Sequence, residues 1–265
     1  MINVYNLFFH VSLNMVCEIT LFLPKRFIFF NKNQREFFYD YICVPIYNEI
    51  LMRNLVIFDL DGTLLYTLED LTDSVNYTLS TFGYETKTLD EVSMHVGNGV
   101  QHLVKKLLPE DLSDSDFEKC YQCFKEHYSE HCCDKTRPYD GIMETLKILK
   151  YRGVKVGVLS NKFQSAAEEV CEHYFQGLYD IVIGESENCR RKPAPDGINM
   201  ICEKFAAEKD DVLYFGDSEV DIKTAENSGV YCVSVLWGYR DREFLADNGA
   251  KVFVSNPLDI ADILD

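Results

Sequence analysis

A chain of 265 residues that is 47% hydrophobic can bury one large core or two smaller ones, which excludes a disordered chain and suggests a main domain with an insertion. Its formal net charge of −17 argues against a nucleic-acid backbone or an anionic membrane surface as partner, because both would be repelled. Ten cysteines in so long a chain, opening without a basic n-region, read as reduced thiols and predict a cytoplasmic protein.

Residues 1–51 differ from the rest. They hold 12 of the 35 aromatic residues and none of the 14 glycines. Lys25, Arg26, Lys32 and Arg35 balance Glu18, Glu36, Asp40 and Glu49, so the whole −17 falls on residues 52–265 and a boundary is expected near Met52. The aromatic-rich start reads in two ways. It could be a membrane-associated anchor, although Asn14, Glu18, Pro24, Lys25 and Arg26 interrupt it; or translation starts at Met52 and the natural protein lacks this extension. No uninterrupted apolar run approaches the ~18 residues of a membrane span, so no clear membrane association is predicted.

Beyond Met52, short apolar runs alternate with helical patterns. The runs are "LVIF" (55–58), "VKVGVL" (154–159), "YDIVIG" (179–184), "DVLYFG" (211–216), "YCVSVL" (231–236) and "KVFV" (251–254). Rich in β-branched residues and bounded by Gly, Asp or Asn, they read as strands buried on both faces of a parallel sheet. "GIMETLKILKYRG" between them reads as a helix stopped by Gly153. The alternation predicts an α/β fold, a doubly wound Rossmann-like parallel sheet with right-handed crossovers.

Nearly a hundred residues separate the first two strands, too many for one crossover helix. Leu68, Leu71, Val75, Leu79 and Phe82 fall at helical spacing, as do Val100, Leu103, Val104, Leu107 and Leu108, followed by "DFEKCYQCFKEHY". An inserted α-helical cap is therefore expected over residues 66–136, with the core formed by 52–65 and 137–265.

In open α/β sheets ligands bind at the carboxyl ends of the strands. Asp59 and Asp61 stand at that end of the first strand, Ser160 of the second and Asp217 of the "DVLYFG" strand, while Lys192 lies in the loop after "YDIVIG". Two crowded carboxylates repel unless a cation or shared proton relieves them. Asp59, Asp61 and Asp217 offer hard oxygen ligands for Mg²⁺. With Mg²⁺ and Lys192 shielding a phosphate, Asp59 can attack phosphorus to form an aspartyl-phosphate, while Asp61 protonates the leaving alcohol and then activates water.

Each piece alone has a plainer explanation. "DLDGT" is a poor calcium loop, since its Gly falls fourth rather than sixth and Asp70 takes the place of the twelfth-position Glu. Ser160 could cap the next helix, Lys192 could belong to the solvated run "CRRKPAPD", and Asp217 and Asp221 could charge a helix N-terminus. Their joint order at strand ends favours the chemical reading.

Together these residues resemble the haloacid dehalogenase superfamily of phosphohydrolases. The motifs are "DLDGT" (59–63), "LSN" with Ser160, "KPAP" with Lys192 and "GDSEVD" with Asp217 and Asp221. The resemblance implies Asp59 as nucleophile and Asp61 as acid/base. It implies metal ligation by the Asp59 side chain, the Asp61 backbone carbonyl and Asp217, with Asp221 in support. It also implies that Ser160 and Lys192 hold phosphate with backbone amides near Gly62 and Asn161. An acid at the position of Asp61 suits an alkoxide leaving group, which needs a proton, better than a halide, which does not.

The cap placement, "HVGNGVQHLVKKLL" (95–108), "RPYDGI" (137–142) and "LWGYRDREFL" (236–245) are similar to the phosphoglycolate phosphatase group. A small phosphorylated metabolite, with 2-phosphoglycolate foremost, is therefore the expected substrate. Gly97 and Gly99 would let the cap loop approach it and Asn98 would hydrogen-bond it, unless "GNG" merely turns the chain between helices. Tyr66 departs from the acidic residue usual after the first motif, at the expected hinge.

An inorganic pyrophosphatase, a nucleotidase or a sugar phosphomutase shares the chemistry, and a catalytically vestigial phosphate-binding module is the alternative of another class. The Cys120, Cys123, His127, His131, Cys132 and Cys133 cluster mimics zinc spacing, but four tetrahedral ligands cannot come from one straight helix face. The sequence carries no signal of oligomeric state.

Overall fold

The structure, a computed structural model, describes residues 54–264. Both readings of residues 1–51 lie outside the described residues.

In chain order the described elements begin with strands β1 (Leu55–Phe58) and β2 (Leu65–Tyr66). Helices α1 (Leu68–Thr81), α2 (Leu89–Ser93), α3 (Val100–Leu107) and α4 (Asp114–His131) follow, then β3 (Arg137–Pro138). The remainder alternates: α5 (Ile142–Tyr151), β4 (Lys155–Phe163), α6 (Gln164–Phe175), β5 (Ile181–Glu185), α7 (Asp196–Phe205), β6 (Val212–Gly216), α8 (Glu219–Ser228), β7 (Tyr231–Val235), α9 (Arg242–Asp247), β8 (Phe253–Val254) and α10 (Ile260–Ile263).

Six strands form one parallel sheet in the order β5-β4-β1-β6-β7-β8. Along β1, Leu55 and Ile57 enter one apolar cluster while Val56 and Phe58 enter the other, so a continuous apolar run is buried on both faces by the two-residue period of a strand. The chain winds from β1 through β4 to β5 and then returns to β6 on the other side. This reversal opens a crevice at the carboxyl end of β1.

Helices α1–α4 occupy the chain between β2 and β3, which pair antiparallel as Leu65↔Pro138 and Tyr66↔Arg137. Leu68, Leu71, Val75 and Leu79 are buried at the expected spacing. Phe82 is not part of that helix: α1 ends at Thr81, and Phe82 is exposed ahead of Gly83, whose φ of +77° turns the chain. Asp70 ties the two stems, accepting the backbone N–H groups of Lys135 at 2.9 Å and Thr136 at 2.8 Å.

The second core strand also runs further than its apolar pattern. β4 continues to Phe163, with its pairing to β5 irregular between Leu159 and Phe163, so Ser160, Asn161 and Lys162 belong to the strand. No helix among the described residues is long and apolar enough to cross a membrane, and all eight described cysteines are free.

Candidate active site

The Asp59 N–H continues the β1–β6 ladder, donating to the Phe215 carbonyl at 2.8 Å. The loop that follows is tight, with the Leu60 carbonyl accepting the N–H groups of Leu64 at 3.0 Å and Leu65 at 2.9 Å. Gly62 sits at φ +89°, and a Cβ there would fall 2.3 Å from Asp217 Oδ2. A side chain at Gly62 is therefore excluded twice, by backbone strain and by the carboxylate it faces. Asp217, at the end of β6, accepts the Tyr239 N–H at 2.7 Å.

Lys192 is buried, unlike Arg190, which pairs with Asp196 at the surface, and Arg191. Its ammonium lies 2.6 Å from Asp59 Oδ1, 2.7 Å from Asp221 Oδ1 and 3.2 Å from the Tyr214 hydroxyl. Asp221 also accepts the Ser218 N–H at 3.1 Å and hydroxyl at 2.6 Å, so it closes the first turn of α8 while facing Lys192. Asp221 therefore combines a helix-capping contact with a contact to Lys192. Ser160 does not cap α6; its hydroxyl lies 3.5 Å from Asp61 Oδ2 and accepts the Lys162 N–H at 3.1 Å.

Carboxylate oxygens of Asp59, Asp217 and Asp221 come within 4.8 Å of one another, all buried. Burial, then the charge of Asp221, then that of Asp217 against the relief from Lys192, raise the Asp59 carboxyl well above its ordinary range. Burial and Asp221 likewise push Asp217 up to about 7. Burial would raise Asp221 too, but Lys192 and the Ser218 and Tyr214 hydroxyls outweigh it and hold Asp221 low. Fully ionised, three carboxylates face one ammonium, leaving two negative charges unbalanced. A donor set of buried oxygens with that deficit fits a hard divalent cation.

Asp61 points away from this cluster. Its Oδ1 lies 3.3 Å from the Lys162 ammonium but makes no hydrogen bond, although it is shielded from solvent. Lys162 is itself buried and bonded to the Tyr128 hydroxyl of α4 at 2.7 Å. Asp59, Asp61, Ser160, Asn161, Lys162 and Lys192 line a recess closed on the other side by Leu71, Val96, Gly97, Gly99, Val100 and Leu103. Gly97 and Gly99 thus reach the recess. Asn98 is not among its lining residues; its carbonyl faces Arg191 at 3.4 Å.

The Asn161 side chain fastens the two halves. Its amide donates to the carbonyls of Gly97 at 2.8 Å and Lys192 at 3.1 Å, and its oxygen accepts the Lys192 N–H at 2.6 Å. Arg240 adds a second tie, donating to the carbonyls of Ser93, Met94 and Val96 and pairing with Glu219 at 3.2 Å. At the β2–β3 stems Tyr66 packs edge-on to Tyr139 and Tyr239, with the Arg137 guanidinium over its ring at 4.5 Å. The Tyr239 hydroxyl meets the Thr67 backbone N–H at 3.0 Å.

Lys162, Tyr128, Tyr214 and Arg240 were not singled out from sequence. The available signal for Lys162 was a lysine continuing a buried strand beyond "LSN". In the cysteine–histidine segment, Cys120 is buried, His127 meets the Ser74 hydroxyl at 3.0 Å and His131 meets Asp134 at 2.8 Å.

A family model described as haloacid dehalogenase-like hydrolase matches residues 56–235. The phosphoglycolate phosphatase of Aquifex aeolicus is 30% identical over 212 residues, covering 80% of this chain and 96% of that one. An N-acetylmuramic acid 6-phosphate phosphatase of Pseudomonas aeruginosa is 30% identical, covering 79% and 94%. Among solved structures, a predicted phosphoglycolate phosphatase of Haemophilus somnus superposes with a TM-score of 0.74 at 26% identity, covering 80% of this chain and 98% of that one.

Proposed function

The chain belongs to the haloacid dehalogenase-like hydrolase family, and from that premise we propose that it hydrolyses a small phosphomonoester, 2-phosphoglycolate foremost, through an aspartyl-phosphate on Asp59. The observation that carries this reading is the buried Asp59 carboxylate, 2.6 Å from Lys192 and within 4.8 Å of the Asp217 and Asp221 oxygens, with Asp61 turned instead toward Ser160 and Lys162. The two aspartates of one motif thus occupy different environments, as a nucleophile and a proton carrier require.

Asp59 attacks phosphorus and the bond to the ester oxygen breaks as Asp61 gives that oxygen a proton. Water then attacks the phosphorus of the aspartyl-phosphate, Asp61 takes its proton, and phosphate leaves with Asp59 restored. Ser160, Lys192 and the backbone amides near Gly62 and Asn161 hold the phosphoryl oxygens. Asp59, the Asp61 backbone carbonyl and Asp217 would hold Mg²⁺, which when bound neutralises charge on the carboxylates and the phosphate. Asp221 acts indirectly, by fixing Lys192.

Helices α1–α4 serve as the cap. They cover the recess lined by Asp59 and Asp61 through Leu71, Val96, Gly97, Gly99, Val100 and Leu103, so an outward movement of the cap would widen substrate entry. Such a movement would stretch the Asn161 and Arg240 ties. The proposed setting is the cytoplasm, where the ten cysteines would stay reduced.

Phosphate release from 2-phosphoglycolate, N-acetylmuramic acid 6-phosphate, pyrophosphate, nucleotides and sugar phosphates, with and without Mg²⁺, tests the reading. Mg²⁺-dependent preference for 2-phosphoglycolate is expected. Preference for another ester would retain the mechanism and replace the substrate. Transfer between sugar positions would point to a mutase, and no turnover of any ester would point to a binding module.

The raised carboxyls give a second test. With Asp217 at about 7 in the folded chain against an ordinary 3.8, the native state keeps a proton that the unfolded state has lost between those values. Raising the pH through that window therefore removes stability from the metal-free protein, and a bound cation restores it. Saturating Mg²⁺ should raise Tm more at about pH 7.5 than at about pH 5. Equal increments in thermal melts at the two pH values would count against Asp217 as a metal ligand.

A further inference from the structure

Lys162 is a buried cation that the hydrolytic steps leave without a task. Its ammonium lies 3.3 Å from Asp61 Oδ1, next to the proton carrier and therefore next to the position of the ester oxygen that receives the proton. Lys192 pairs instead with Asp59. The two lysines thus serve different carboxylates, Lys192 the attacking group and Lys162 the proton carrier.

The lining opposite these polar groups includes the apolar side chains of Leu71, Val96, Val100 and Leu103. A neutral alkyl group needs no ammonium there, and burial of an ammonium is costly unless it is paired. Of the three donors on Lys162, the Tyr128 hydroxyl takes one at 2.7 Å, and Asp61 lies in ion-pair range without a hydrogen bond. Donor capacity is left over. An anionic group on the substrate would take up that capacity.

We propose that Lys162 is the specificity-determining residue of this site, binding a carboxylate on the carbon next to the ester oxygen and so selecting phosphomonoesters of short 2-hydroxy acids. Tyr128 positions it from the cap, so the carboxylate site is complete only when the cap is closed. This inference rests on the phosphatase reading above and deepens it.

The test compares kcat/KM for 2-phosphoglycolate and ethyl phosphate, which replaces the carboxylate by a methyl group, in the full-length wild type and Lys162→Met. The wild-type ratio should favour 2-phosphoglycolate by about 10²-fold or more, and the substitution should reduce that ratio by a similar factor. An unchanged ratio in Lys162→Met, with both esters slowed alike, would overturn the inference and leave Lys162 as a positioning residue for Asp61. A wild-type ratio near one would overturn it without needing the variant to fold, while leaving the phosphatase reading intact. Hydrolysis of neither ester by the wild type would overturn both. Lys162→Arg keeps the positive charge and should retain most of the discrimination; its complete loss there would speak against charge recognition.

Discussion

Asp59→Asn yields a folded protein with turnover reduced about 10⁴-fold or more, as expected when an attacking group is removed and the rest of the site survives. The amide cannot form the acyl-phosphate and is a poor ligand for a hard cation. The fold should not suffer. Asn has nearly the same shape, and its side-chain oxygen can still accept from Lys192, which stands 2.6 Å from Asp59 Oδ1. Burial and the charges of Asp221 and Asp217 disfavour ionised Asp59 even with Lys192 beside it, so removing the charge should leave the metal-free Tm unchanged or higher near neutral pH. Phosphate release and a thermal melt on the same sample separate the effects. Activity within about tenfold of wild type would rule out covalent catalysis by Asp59.

Lys192→Met should be the most destabilising single change in the site, by about 3–5 kcal/mol in the metal-free protein, because it leaves buried carboxylates without their cation. The ammonium now serves Asp59 at 2.6 Å and Asp221 at 2.7 Å, and all three groups are buried. The pH dependence has a definite sign. In the wild type the depressed Asp221 pKa contributes stability above the ordinary carboxyl value, and that contribution is lost as pH falls through the folded pKa. Without Lys192 the same carboxyl is raised by burial, so the variant recovers stability as pH falls toward about 5. Urea unfolding at about pH 7.5 and about pH 5 should show the gap to wild type narrowing in acid, and Mg²⁺ should narrow it at neutral pH. A gap below about 1 kcal/mol, or one that widens in acid, would mean that Lys192 is not the charge partner of this cluster.

The sheet was legible because its strands are short, apolar and buried on both sides, a pattern that the two-residue period of "LVIF" satisfies without help from distant residues. The two-residue strands flanking helices α1–α4 were not, since Leu65–Tyr66 and Arg137–Pro138 are too short to carry any periodicity and exist through pairing of positions as far apart as Tyr66 and Arg137. Phe82 fits the helical spacing of α1, yet Gly83 ends the helix first. Ser160 and Asn161 were expected past the second core strand, but the β4–β5 irregularity lets that strand carry them.

The sequence by itself determined which chemical groups stand on the carboxyl side of the sheet, because Asp59, Asp61, Ser160 and Asp217 directly follow apolar runs and Lys192 lies in the loop after another. Only the tertiary structure decided how their charges divide: Lys192 to Asp59 and Asp221, Lys162 to Asp61 and Tyr128 of α4. The order of apolar runs and polar groups depends on neighbours along the chain. Charge pairing depends on distance and desolvation, so partners such as Lys162 and Tyr128, 34 positions apart, become a unit only when folding buries them together.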